Sequence, residues 1–471
     1  AADELLADQI ESNGMEWFGD YWADLPILAT QRNIAPSHRA QMSVRRRAQR
    51  ACGLAGSLRG MGAGAMPSLW DVLPQLEVPT TLVTGDLDPK FSQIADEMAA
   101  RMPRAEVVQL SGGNDFMNTV IPYNNPFYYD NRPKLKVAEN EGLRLDENLS
   151  FHPSMKPLQD IYTNGDLAII HGVGWSNSNR SHFRCMDIWH TAEPDDFASE
   201  GWLGKAARQL DPKSENPATV VNIGQGLPRA LVADGVSVAS VSDINAYGLL
   251  TSVEQDLERQ RILNHFAQMY APATGRAPIM EYIARTGTDA LKGADEIKKA
   301  AHSYQSNVEY GSNTISNRLK DVAKVHLADI GSKIIYTEYG GFDTHAAQAS
   351  SHPKLWGDVS TAIADFWDDL KAHNADDNVS MLVFSEFGRR VKENGGGTDH
   401  GAAGVSFLIG PNVNGGSFSD YPDIRAEALV EGDLAPSIDF RSVYSSILDN
   451  WMQVESPEVL GKQFEKIDNL F

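Results

Sequence analysis

Residues 333–386 decide the fold, and their two informative ends read KIIYTEYGGFD (333–343) and VSMLVFSE (379–386). Lys333-Ile334-Ile335-Tyr336-Thr337 is a short β-branched and aromatic run that stops at the turn Gly340-Gly341-Phe342-Asp343. Such a run, ended by glycines, predicts a buried strand. Val379-Ser380-Met381-Leu382-Val383-Phe384 is a second one, ending at Ser385-Glu386. Between them, residues 353–373 have helical spacing. Strands that alternate with helices predict a largely parallel sheet, so the fold class is α/β.

The same grammar extends in both directions. Val107–Leu110 and Asp166–Gly172 read as further strands, and residues 252–332 as mostly helical. Turn-rich sequence fills 111–153, with SGGND, IPYNNP and NRP as breakers. A helix is expected to start near Ser181. Ahead of this region, residues 1–24 and 36–59 read as helices. They are followed by a strand at Thr80–Thr84, a turn at Gly85–Asp88, a helix over 89–102 and the 107–110 strand. From Ser111 the character of the sequence changes.

Composition narrows the partners. The 471 residues carry a net charge of −22, which argues against nucleic acid, because phosphate binding needs basic surface. The run Arg45-Arg46-Arg47 with Arg50 reads as a solvated helix face. Two cysteines, Cys52 and Cys185, are too few for a disulfide framework, and no bridge between them is expected. No apolar run approaches the roughly 18 residues a membrane span needs. The N-terminus AADELLADQIESNG lacks the basic and apolar regions of a secretory leader. Oligomeric state and compartment are not readable from the chain.

Acids and imidazoles concentrate where strands should end, and open parallel sheets bind ligands outside the carboxyl ends of their strands. Asp115 follows the 107–110 strand, Asp343 and His345 follow 333–337, and Glu386 follows 379–384. Asp399 and His400 sit in the glycine-rich GGGTDHG loop. Mixed carboxylate and imidazole donors suit a divalent metal: zinc, manganese or iron, as one ion or two. Structural roles stay open beside this reading. Asp115 could cap a turn or helix, and Glu386 could pair with Arg389 or Arg390. His152, His171 and His190 read as satisfied structural histidines.

Ser181 lies between the polar Ser176–Arg180 loop and a helix start, where free N–H groups favour an anion. It is a candidate nucleophile or a simple N-cap. Arg180 or Arg184 could hold an anionic group, and His182 could be a base, a ligand or a packing residue.

Two resemblances follow from longer motifs, and together they imply two domains, 1–106 and 107–471. Residues 107–471 contain VVQLSGGNDFMNTVIPY, FHPSMKPLQDIYTNGDLAIIHGVGWSNSNRSHFRCMDIWHTAEP, GWLGKAARQLDP, GGFDTHAAQ, MLVFSEFGRRVKENGGGTDHGAAG and GGSFSDYPD. In these they resemble a sulfatase-like family of unknown function, often exported by the twin-arginine route, within the alkaline phosphatase superfamily. The resemblance implies a largely parallel sheet with helices on both faces, and metal-dependent hydrolysis of a small anionic phosphate or sulfate ester in the periplasm. It implies a first metal site at Asp343, His345 and His400, and the remains of a second at Asp115 and Glu386. It places the nucleophile at Ser181, within Asn179-Arg180-Ser181-His182. The chain departs from the superfamily pattern at Glu386-Phe387, where an Asp-His pair is usual, and in the close spacing of Asp343 and His345. A non-catalytic exported binding protein, or a fusion with no intact function, is the alternative.

Residues 1–105 resemble the C-terminal half of a menaquinone-pathway α/β-hydrolase, a succinyl-hydroxycyclohexadiene carboxylate synthase. The matching text is SLRGMGAGAMPSLWDVLPQLEVPTTLVTGDLDPKF and IADEMAARMPRAEVV. Asp86 or Asp88 matches its acidic triad member. No G-x-S-x-G precedes it and no histidine follows in SGGNDF, so no complete triad is expected.

Overall fold

The computed structural model describes residues 2–23, 36–61, 104–178, 180–244, 297–298 and 303–471. The chain divides into two compact units, Ala1–Met102 and Pro103–Phe471. The strand and helix expected over 80–102, with Asp86 and Asp88, lie outside the described residues, as do Asn179 and most of 252–302.

The described part of the first unit is helical: Ala2–Ala23, kinked at Gly14, then Pro36–Arg47 and Ala51–Met61. Ala7, Ile10, Phe18 and Ala55 are buried between them. Two of the basic residues pair with acids. Arg47 pairs with Glu16 and Asp20, and Arg59 with Glu4, Asp8 and Glu11. The acids facing Arg59 recur at helical spacing, so they form one stripe on the first helix.

Among its described residues the second unit holds twelve strands. In chain order they are β1 (Arg104–Leu110), β2 (Val120–Ile121), β3 (Leu143–Arg144), β4 (Ser150–Phe151), β5 (Leu167–Gly174) and β6 (Val220–Ile223). Then come β7 (Val238–Val241), β8 (Ile334–Tyr339), β9 (Val379–Phe384), β10 (Gly404–Ile409), β11 (Gly416–Phe418) and β12 (Ile438–Asp439). Nine form the central sheet in the order β11-β5-β10-β9-β1-β8-β6-β7, with β12 also on β5. β2, β4 and β3 make a small separate sheet.

The central sheet is parallel except at β10, which runs against both β9 and β5. Successive strand residues face opposite sides, and the core divides accordingly. Met381 and Val383 join one apolar cluster, with helices Thr314–Leu327 and Gln348–Ala372. Leu382 and Phe384 join the other, with helices His182–Thr191, Trp202–Leu210 and Phe440–Ser446. The fold is thus α/β, a largely parallel sheet covered by helices on both faces.

This topology gathers the site. The loops leaving β1, β8, β9 and β5 all emerge at the carboxyl edge. Because β10 is reversed, the loop leading into it, 394–403, reaches that same edge. Among the described residues, no helix is long and apolar enough to cross a membrane.

Candidate metal centre

Asp343, His345 and His400 meet at one point. Asp343 Oδ1 lies 2.8 Å from His400 Nε2 and 3.0 Å from His345 Nε2, and the two Nε2 atoms are 3.0 Å apart. Each imidazole is held from behind. His345 Nδ1 is 3.1 Å from Asp399 Oδ1, and His400 Nδ1 is 2.8 Å from the main-chain carbonyl of Arg180. A carbonyl can only accept, so His400 carries its proton on Nδ1, and the Asp399 carboxylate gives His345 the same tautomer. Both Nε2 atoms then present lone pairs to each other and to a carboxylate oxygen. Three electron-rich atoms in one triangle repel unless a cation joins them.

A tetrahedral zinc with bonds of about 2.0 Å would set its ligand atoms about 3.3 Å apart, close to the triangle seen. The outer hydrogen bonds to both Nδ1 atoms are those a metal-binding histidine uses to fix its ring. The side chains of Asp343 and His345 are 52% and 43% exposed, so the cluster faces solvent.

Arg389 braces the centre. Its guanidinium is buried and donates to the carbonyls of Gly112, Gly113, Phe342 and Thr398, and to Asp343 Oδ1 at 2.7 Å. Burial would raise the Asp343 carboxyl, but the hydrogen bond and charge of the Arg389 guanidinium hold it below its ordinary value. Gly112 stands at φ +118°, and a Cβ there would meet the Asp343 nitrogen at 2.3 Å. The double glycine thus lets two loops touch. Hydrogen bonds from Asn394 and His345 keep the Asp399 carboxyl low.

The other expected ligands go elsewhere. Asp115 is a correction: it neither joins the cluster nor caps its helix. It is fully buried against Arg132, with Nη1–Oδ2 at 2.5 Å and Nη2–Oδ1 at 3.1 Å, and Gln348 donates to it as well. Burial alone would push its carboxyl up, and the Arg132 guanidinium outweighs this and holds it low. Glu386 pairs with neither Arg389 nor Arg390. Its buried carboxylate accepts from Gly112 N–H at 2.8 Å and from the Ser385 hydroxyl, and it lies 2.5 Å from His182 Nδ1. Phe387 packs at a tilt against His400, with ring centroids 4.4 Å apart.

Ser181 is the N-cap residue of helix His182–Thr191, and its side chain makes no capping bond. Its neighbours bracket the centre, since the Arg180 carbonyl holds His400 and His182 meets Glu386. Arg184 is a second correction. It turns to Asp187 and to the carbonyls of Pro194 and Asp196, with its guanidinium over the Phe197 ring. His152, His171 and His190 are buried, which pulls their pKa values down to about 3, 4 and 4. His190 bonds Gln109 and His152 accepts from Ser154 N–H, whereas the His171 nitrogens meet no partner among the described residues.

Residues 104–459 match the family described as "Protein of unknown function (DUF1501)". The chain belongs to that family. A curated protein of Bacillus subtilis (strain 168), named as a 2-succinyl-6-hydroxy-2,4-cyclohexadiene-1-carboxylate synthase, is 38% identical over 112 residues. That match covers 23% of this chain, and the chain spans about two fifths (41%) of that relative's length. Similar solved structures include the PsFucS1 sulfatase from Pseudoalteromonas sp., at 11% identity and a TM-score of 0.36, over 80% of this chain and 76% of that one. The phosphonate monoester hydrolase of Agrobacterium radiobacter shows 9% identity and a TM-score of 0.31, over 77% and 78%.

In this member of the DUF1501 family, Arg389, Arg132, Gln348 and Asn394 shape the site, yet sequence reading did not single them out for it. Gln348 was visible as the last residue of GGFDTHAAQ, and Arg132 only as part of the breaker NRP.

His182 gives one test of the geometry. Hydrogen bonding to Glu386 raises its pKa above the ordinary imidazole value. A histidine raised in the folded state contributes stability fully below its unfolded pKa of about 6.5, and loses it as pH climbs through the folded value. The stability difference between wild type and His182→Gln should therefore be largest below about pH 6.5 and shrink above it. Denaturant midpoints across this range check it, and a flat difference would count against the pair.

Proposed function

We propose that this DUF1501 protein is a metal-dependent hydrolase of a phosphate or sulfate ester. One observation carries the reading: the solvent-facing triangle of Asp343 Oδ1, His345 Nε2 and His400 Nε2, with both Nδ1 atoms already committed. These three residues would hold one divalent ion. Asp115 is sealed by Arg132 and Phe387 offers no donor, which favours one ion over two. A bound divalent ion supplies Lewis-acid stabilisation of charge on the ester oxygens.

The chain's own residues do the rest. Ser181 is the proposed nucleophile: its Oγ bonds to phosphorus or sulfur as the bond to the ester oxygen breaks, and that oxygen leaves with the bonding electrons and takes up the proton that Oγ gives up, departing as the alcohol. Water then cleaves the seryl ester and restores the hydroxyl. The N–H groups at the start of helix 182–191 favour the anionic ester. His182, whose pKa the contact with Glu386 raises, adds positive potential beside them when protonated. Arg184 has no part in this scheme.

Turnover of aryl phosphates and aryl sulfates by the full chain, with zinc or manganese and after chelation, tests the activity. Loss on chelation and return with one ion are expected. No turnover of either ester by fully metal-loaded protein would sink the reading. Ser181→Ala is expected to abolish turnover with metal content and melting temperature unchanged. If activity persists and stability falls by about 1 kcal/mol, Ser181 is a cap.

A further inference from the structure

The short hairpin at 430–433 is linked to His400 through Arg180 and has no place in the chemistry above. Val430 and Asp433 bond to each other in both directions at 3.0 Å, around the tip Glu431-Gly432. Both tip residues have positive φ, 53° and 86°. Glycine tolerates that conformation, whereas a glutamate there is strained, and strain of this kind persists only where the surroundings impose it.

Two arginines converge on this turn. Arg180 places Nε 2.8 Å from Asp433 Oδ2 and its fork 3.1 Å from Glu431 Oε2. Arg390 places Nε 3.3 Å from Asp433 Oδ1 and donates to the Glu431 carbonyl at 3.1 Å. The Asp433 side chain is only 4% exposed. A buried carboxylate is a weak source of net stability, because desolvation offsets much of its attraction. Its location is more informative. The main-chain carbonyl of Arg180 holds His400 Nδ1, and the main-chain N–H of Arg390 donates to Asp399 O at 3.0 Å. The two arginines therefore belong to the two backbones that flank His400.

We propose that Asp433 is a positioning residue for the metal centre: by anchoring Arg180 and Arg390 it fixes the carbonyl that sets the ring direction and tautomer of His400. The Nδ1–H form is held, and Nε2 stays a bare donor aimed at Asp343 and His345. The consequence for metal binding rests on the proposed ligand set, but the tautomer can be read in metal-free protein.

The experiment uses the full chain with ¹⁵N-labelled histidine after chelation, and His400→Gln assigns the ring signals. Wild type should show His400 as the Nδ1–H tautomer. Asp433→Asn, nearly the same shape, should move it toward a tautomer mixture and weaken Co²⁺ binding about 10–100-fold. Asp433→Glu should restore part of both. Unchanged His400 signals together with unchanged Co²⁺ affinity, with only the melting temperature lowered, would overturn the proposal. If wild type binds no Co²⁺ while the tautomer still shifts in Asp433→Asn, the positioning role stands and the metal reading falls. If Asp433→Asn does not fold, Arg180→Met carries the same two measurements, since that side chain is partly exposed and the carbonyl remains.

Discussion

Asp115→Ala is expected to destabilise the second unit by about 3–5 kcal/mol, because it leaves a buried guanidinium without its counter-charge. Arg132 and Asp115 are both fully buried, and Arg132 spends its other donors on the carbonyls of Val391 and Arg390. Water cannot reach the charge that the substitution strands. Arg132→Met on the same background should recover part of the loss, since removing both partners is cheaper than removing one. The pH dependence has a fixed sign. The Asp115 carboxyl is held low in the folded state, so its contribution is present above the unfolded value of about 3.9 and is lost as pH falls through the folded one. The gap between wild type and variant should stay constant near neutrality and close only in strong acid. Urea midpoints at constant slope measure it. A loss below about 1 kcal/mol would mean that the ion pair is not sealed as described.

Removal of either imidazole of the centre should have the largest effect on function. His345→Ala and His400→Ala are each expected to bring bound metal to background. Turnover should fall by more than the roughly 10–100-fold that losing an outer partner costs, with Asp399→Asn supplying that smaller step. Stability separates the two variants. The His345 side chain is 43% exposed, so its loss from metal-free protein should stay within about 0.5 kcal/mol. The His400 ring packs on Phe387, so its loss should cost more. Metal analysis and thermal melts of the same preparations decide the matter. Full metal occupancy in His345→Ala would remove Asp343, His345 and His400 as the ligand set.

The strands were legible because short apolar runs ended at glycines, and their carboxyl-end loops could be read with them. That reading put Asp343, His345 and His400 among the candidates at the carboxyl edge, and the family resemblance grouped the three. The fate of Asp115 was not legible, because its partner Arg132 lies within what local pattern marks only as a turn. Glu386 misled for a related reason. Arg389 and Arg390 are its sequence neighbours, but the loop after β9 swings Arg389 under the β1 and β8 loops, and His182 arrives from another helix. The helix expected from Pro353 begins at Gln348, whose side chain accepts from Thr398 and donates to Asp115. Tertiary bonds of this sort leave no local periodicity.

The Arg389 guanidinium, joined to loops at 112–113, 342–343 and 398, ties Asp343, His345 and His400 to the completed sheet. An unfolded chain has Asp343 and His345 as neighbours but His400 far off, with nothing to turn its ring. An ion taken up at this centre therefore recognises the native ensemble alone. By mass action it would add about 2.7 kcal/mol of stability at a hundredfold excess over its dissociation constant. Metal supply would then set how long the protein survives proteolysis as well as how fast it turns over.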